Sequence, residues 1–213
     1  MPAVRESCAQ RPDQSGTKVG GGLFTGSSGP GAGWSEALTE ARHAFVLGTP
    51  SEDLVHALKY EGWSELAAPM GEAMAAALAG AAGGELRFAA VVPVPTTPDR
   101  VRSRGYNQAG LLARRVADLL ELPLGGALER ARARRSQTRL SPLERADNVR
   151  SAFRAVDAER VVVRGADVLL VDDVLTTGAT ASEAASPLSE MGACSVTLLT
   201  YARALAMAPE GAR

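Results

Sequence analysis

The stretch "VLLVDDVLTTGAT", Val168 to Thr180, holds the residues best suited to chemistry. An apolar run leads into two adjacent carboxylates, and a short loop of hydroxyls with one glycine follows. A solvated turn needs polar residues and often a glycine, but it does not need them in this order. Adjacent carboxylates at the end of an apolar strand are costly to bury unless hydroxyls, a cation or a metal compensate them. Asp172 and Asp173 therefore suit the vicinal hydroxyls of a sugar, with strand alternation turning them to different sides. In the run Thr176, Thr177, Gly178, Ala179 and Thr180, the glycine permits a left-handed backbone. Successive N–H groups at the start of the next helix then form an anion cradle, to which threonine hydroxyls add donors. Acceptors for a diol beside a cradle for a phosphate describe a ribose 5-phosphate site. The competing reading is a capped helix start behind a solvated acidic turn. A Walker loop is excluded, because the chain contains no Gly-Lys dipeptide.

A second group of residues follows the apolar run "AAVVPVP", Ala89 to Pro95. Arg102 and Arg104 are candidates for phosphate contact, since a guanidinium grips phosphate oxygens in bidentate fashion, and Gly105 lets the backbone come close. The alternative is that these arginines form a solvated face. Tyr106 and Asn107 are candidates for an acceptor site, with simple packing an equal reading of Tyr106. Lys59 is a candidate anion or acceptor contact, or an ordinary surface lysine. Between Asp99 and Arg164 the chain places 15 Arg against 8 Asp or Glu, although the whole chain has a net charge of −1. Such a basic block attracts the phosphates of a small ligand or of a nucleic acid. The part from Arg130 to Arg150 is too charged for a core and too long for an ordinary connection, as a lid or functional loop would be. An Arg-rich strip also neutralises nucleic-acid backbones, but few aromatics interleave this one to stack on single strands. His43 and His56 have no partners at metal spacing, and Cys8 and Cys194 are too few for a disulfide framework or a zinc site.

These residues need a frame. Residues 1–33 are rich in Gly and Ser without hydrophobic periodicity and read as a disordered tail, with one domain over 34–205 and a short tail at 206–213. Helices are expected from Ser51, where "SEDLVHALKYEGW" puts Leu54, Ala57 and Leu58 on one face, then over Glu65 to Leu78 and Asn107 to Leu120. "RVVVRG" and "DVLLVDD" read as further apolar strand-like runs, followed by a helix over about Ala181 to Met191 and the strand "SVTLLTYA". Strands alternating with helices imply an α/β fold, a Rossmann-like, mostly parallel sheet with helices on both faces. Ligands of such sheets bind outside the carboxyl ends of the strands, where both suggestive loops lie. "MPAVRESCAQ" lacks the apolar region of a signal peptide, and no apolar run approaches membrane-spanning length, so a cytoplasmic protein without membrane contact is expected.

"VLLVDDVLTTGAT" resembles the phosphoribosyl-pyrophosphate signature of type I phosphoribosyltransferases. "LVHALKYEGW", "VVPVPTTPDRVRSRGYNQAGLLA" and "LERARARRSQTRLSPLERADNVRSAF" are similar to successive blocks of the ComF family, over about Leu54 to Arg203. That family includes competence proteins linked to DNA uptake and relatives linked to gluconate use. The resemblance implies the type I phosphoribosyltransferase fold and binding of phosphoribosyl pyrophosphate with Mg²⁺, held through the ligand and by Asp172 and Asp173. It places Arg102, Arg104 and Gly105 at the pyrophosphate loop, and Gln137, Arg139, Arg145 and Asn148 in a loop that closes over the diphosphate. ComF proteins commonly begin with a four-cysteine zinc ribbon, and nothing before Trp34 resembles one, so no zinc site is expected in this chain. Three functions fit: transfer of phosphoribose to an unknown acceptor with release of pyrophosphate, a non-catalytic sensor of the same ligand, or a scaffold for single-stranded DNA among DNA-uptake proteins.

Overall fold

The computed structural model describes residues 26–28, 34–80, 88–130 and 152–205. Its strands are β1 (Gly26–Ser28), β2 (Glu40–Val46), β3 (Ala90–Pro93), β4 (Leu128–Arg130), β5 (Phe153–Ala155), β6 (Asp167–Leu175) and β7 (Ser195–Arg203). Five of them form one sheet in the order β1-β2-β7-β6-β3, in which only the β1–β2 pair is antiparallel. The near-continuous apolar runs of β6 and β7 are what a parallel strand covered on both faces requires. β4 and β5 form a separate antiparallel hairpin.

The helices are α1 (Ser51–Tyr60), α2 (Ala67–Gly80), α3 (Pro98–Arg104), α4 (Gln108–Leu120), α5 (Arg160–Val163) and α6 (Ala179–Glu190). Alternation along β6 divides the core between the two faces. Leu169 and Val171 pack with Leu58 of α1, Met74 of α2, and Leu112 and Val116 of α4. Val168 and Leu170 pack with Ala184 and Leu188 of α6 and with Leu128 and Phe153 of the hairpin. Each fully buried leucine contributes roughly 1.5–3 kcal/mol, so these two layers fix where the carboxyl end of β6 emerges.

That end is asymmetric. The β3–β6 ladder stops at Pro93 opposite Val171, followed by one bond from Val94 N–H to Val171 O at 2.9 Å. Pro95 has no N–H with which to extend it. The β6–β7 ladder continues to Leu175 opposite Arg203. Beyond Val171, therefore, one edge of β6 is left by β3 while the other remains held, which opens a crevice beside Asp172.

Several elements differ from the expectations. Asp172 and Asp173 lie inside β6 rather than at its end, because β7 keeps pairing past them. "RVVV" of "RVVVRG" is the short helix α5, although β-branched residues favour strands. The helix expected from Glu65 begins as a 3₁₀ turn, Ser64–Leu66, with α2 following it. β1 falls within the stretch expected as a Gly/Ser tail and pairs with β2. No helix among the described residues is long and apolar enough to cross a membrane.

Candidate functional site

Asp172 and Asp173 face opposite sides of the sheet, as alternation requires. Asp173 is buried on the α1 side, where its Oδ1 lies 3.0 Å from Lys59 Nζ near the end of α1. Its Oδ2 is buried without a hydrogen-bond partner. Asp172 is half-buried and faces the other way, into a cleft that Thr176, Gly178 and Thr180 also line. Its Oδ1 accepts a 2.9 Å bond from the Asp173 N–H. Burial, and then the charge of Asp173 beside it, pushes the Asp172 carboxyl up to about 7, while that N–H bond and the charges of Lys59 and Arg130 pull it down. A carboxyl poised there switches between donor and acceptor near neutrality.

The loop after β6 turns at Gly178, whose φ of +83° is left-handed. The first N–H groups of α6 have no partner within the helix, and Gly178, Thr180 and Ala181 at this end line a small open cleft of about 40 Å³. Thr176, Thr177 and Thr180 are exposed around it, and Thr177 Oγ1 accepts a long 3.4 Å bond from the Ala179 N–H. From the far end of the chain, Trp34 Nε1 donates to Thr177 O at 3.1 Å. Ser35 adds two bonds to Ser182 in the first turns of α6.

The loop after β3 lies across the crevice. Asn107, at the N-terminus of α4, donates from Nδ2 to Val94 O at 3.1 Å and leaves Oδ1 buried without a partner. Thr96 Oγ1 is also buried and unpartnered. Asp173 Oδ2, Asn107 Oδ1 and Thr96 Oγ1 are thus three buried polar atoms without partners, whereas buried polar groups ordinarily find them. Arg104 donates to Gln108 Oε1, and its guanidinium lies 5.4 Å from the centre of the Tyr60 ring. Arg102 is largely exposed and paired with Asp99 in the same helix. Gly105 closes α3 at φ +88° with open space where a Cβ would stand. Tyr106 donates its hydroxyl to Leu58 O at 2.7 Å, so its polar end ties α1 to the loop, and burial pushes its phenol up.

The structure thus joins Lys59 to Asp173, and Asp172 to the Thr176–Thr180 loop, but leaves Arg102 on its own helix. Gln137, Arg139, Arg145 and Asn148 lie outside the described residues, between the two strands of the hairpin. Three contributors were not legible beforehand: Trp34, Ser35 and Arg130. Arg130 ends β4 with a 3.4 Å bond to Pro95 O and its guanidinium 4.9 Å from the centre of the Phe153 ring. Only its place at the start of the Arg-rich stretch hinted at it.

Residues 101–210 match the family model described as the phosphoribosyl transferase domain. The chain is 37% identical over 117 residues to Competence protein F of Haemophilus influenzae, covering 54% of this chain and 50% of that protein. It is 32% identical over 176 residues to DNA utilization protein YhgH of Escherichia coli K12, covering 81% and 74%. Competence protein ComFC of Bacillus subtilis is 33% identical over 114 residues, with 53% and 44% covered. The chain thus spans half the length of the Haemophilus protein and about three quarters of the Escherichia one. Among solved structures, glutamine phosphoribosylpyrophosphate amidotransferase from Bacillus subtilis is similar at a TM-score of 0.43 and 25% identity, over 62% of this chain and 25% of that one.

Proposed function

The chain belongs to the ComF family of phosphoribosyl transferase-domain proteins, and we propose that it binds phosphoribosyl pyrophosphate with Mg²⁺ at the carboxyl ends of β3 and β6. The observation that supports this most is the cleft that Asp172 shares with the left-handed glycine loop opening α6, together with the buried, unpartnered Asp173 Oδ2, Asn107 Oδ1 and Thr96 Oγ1. A polyhydroxylated, phosphorylated ligand satisfies both. Asp172 accepts from a ribose hydroxyl, with Asp173 behind it held by Lys59. The N–H groups from Gly178 to Thr180 and the hydroxyls of Thr176, Thr177 and Thr180 take the 5-phosphate. Arg102, Arg104 and Gly105 serve the diphosphate, joined by Arg130 across the crevice. Gln137, Arg139, Arg145 and Asn148, which lie outside the described residues, belong to the Arg-rich stretch that follows Arg130 in the sequence.

Among the described residues no cluster of three or more His, Cys, Asp or Glu is placed to hold a metal alone. Asp172 with ligand phosphates suits Mg²⁺, which keeps several waters and takes few protein ligands, whereas Asp173, on the other face, is paired with Lys59. Bound there, Mg²⁺ supplies charge stabilisation for the departing pyrophosphate. Asp172 and Asp173 favour the positive charge that builds at the anomeric carbon. Phosphoribose then passes to an acceptor nucleophile near Tyr106 and Asn107.

The relatives' names describe competence and DNA utilisation rather than a transfer reaction, and they favour a role of this chain in DNA uptake. In the second reading the same site binds the ligand as a sensor, and the Arg-rich stretch carries single-stranded DNA. Calorimetric titration of phosphoribosyl pyrophosphate with Mg²⁺ tests the shared premise: saturable binding is expected, and none overturns it. Release of pyrophosphate in the presence of an acceptor separates transferase from sensor.

A further inference from the structure

We propose that Trp34 is a positioning residue for the phosphate loop, fixing the direction of the Thr177–Gly178 peptide so that its N–H faces the bound anion. This rests on the sugar-phosphate reading of that loop. The argument begins with glycine. With no Cβ, Gly178 leaves the peptide before it free to rotate, so the loop needs something outside itself to set which way that peptide points. Thr177 is exposed, and no side chain of the loop restrains its carbonyl.

Trp34 supplies the restraint. Its Nε1 donates to Thr177 O at 3.1 Å, across 143 positions of sequence. The indole lies so close over Gly178 that a Cβ there would stand 2.2 Å from Nε1 and 2.8 Å from both Cδ1 and Cε2. A trans peptide is planar, with its C=O and N–H pointing in opposite directions. Holding Thr177 O toward the indole therefore turns the Gly178 N–H away from it. The adjoining serine anchors the indole in place: Ser35 N–H donates to Ser182 Oγ at 3.1 Å, and Ser35 Oγ donates to Ser182 O at 3.2 Å. The segment leading into β2 is thus bolted to the helix whose N-terminus forms the cradle. The ring also covers one side of Gly178, which leaves the cleft side as the approach for a ligand.

The chain has two tryptophans, and Trp63 is 57% exposed, so Trp63→Phe leaves Trp34 as the single indole reporter. Ribose 5-phosphate is titrated into that variant by fluorescence and, in parallel, by calorimetry. The expected result is a saturable change in Trp34 emission with the calorimetric midpoint. Trp34→Phe keeps an aromatic ring and removes the donor; it should weaken ribose 5-phosphate and inorganic phosphate alike by about five- to tenfold, the loss of one hydrogen bond's worth of alignment. Calorimetric binding with an unresponsive Trp34 emission overturns the inference, as does a Trp34→Phe variant that binds as tightly as wild type. The fluorescence arm stands even if Trp34→Phe does not fold. Absence of calorimetric binding by the wild type is a different failure: it overturns the sugar-phosphate reading itself, and this inference falls with it.

Discussion

Lys59→Met isolates the interaction that holds Asp173 ready. At 3.0 Å, with an effective dielectric of about 20, the attraction between the two charges is roughly 5–6 kcal/mol before desolvation. Asp173's side chain is only 6% exposed and has one oxygen without a partner, whereas that of Lys59 is 23% exposed. Removing one member of a fully buried pair costs about 3–5 kcal/mol, and the partial exposure of Lys59 brings the expectation here to about 2–3 kcal/mol. The cost arises from stranding a carboxylate, so Asp173→Asn in the same background should recover most of it. Urea unfolding of the wild type, both single variants and the double variant at neutral pH measures the coupling, expected near 2 kcal/mol. A coupling below about 0.5 kcal/mol, the range of solvated surface pairs, would refute the view that Lys59 offsets a buried charge.

Gly178→Ala should lower stability by about 2 kcal/mol, from the left-handed backbone and the displaced indole, and part of that loss should disappear in a Trp34→Ala background, as urea midpoints will show. Asp172 should shape the pH dependence of stability, because its folded carboxyl lies near 7 against an ordinary 3.8. Its contribution is full below the lower value and is lost as pH rises to the upper one, so Asp172→Asn should flatten the fall in unfolding midpoint between pH 4 and 8. A variant whose profile matches the wild type would contradict that assignment.

The local pattern of "VLLVDDVLTTGAT" carried the strand, the turn and the helix start, because an apolar run, a glycine and hydroxyls each act through their immediate neighbours. It misplaced the carboxylates by treating the last aliphatic residue as the strand's end. Where β6 stops is decided by β7, whose Thr200, Ala202 and Arg203 continue the ladder opposite Asp172, Val174 and Leu175. Strand β2, "EARHAFV", escaped reading because its polar residues mask a strand in which His43 is nonetheless buried. "RVVVRG" misled in the other direction: four residues between two chain reversals follow their tertiary surroundings rather than β-propensity. The contact of Trp34 with the phosphate loop joins distant parts of the chain, and no local periodicity encodes it. Arg130 likewise could be told from its arginine neighbours only once the hairpin set it beside Pro95.

The most direct test is calorimetric titration of phosphoribosyl pyrophosphate with Mg²⁺ into the wild type and into the Asp172→Asn, Asp173→Asn double variant. Both substitutions keep side-chain shape and remove the charges, so circular dichroism should show an intact fold. The account predicts saturable wild-type binding that the double variant loses. A folded double variant that binds as the wild type does would contradict the assignment of these carboxylates to the ribose, and no wild-type binding would contradict the proposed ligand.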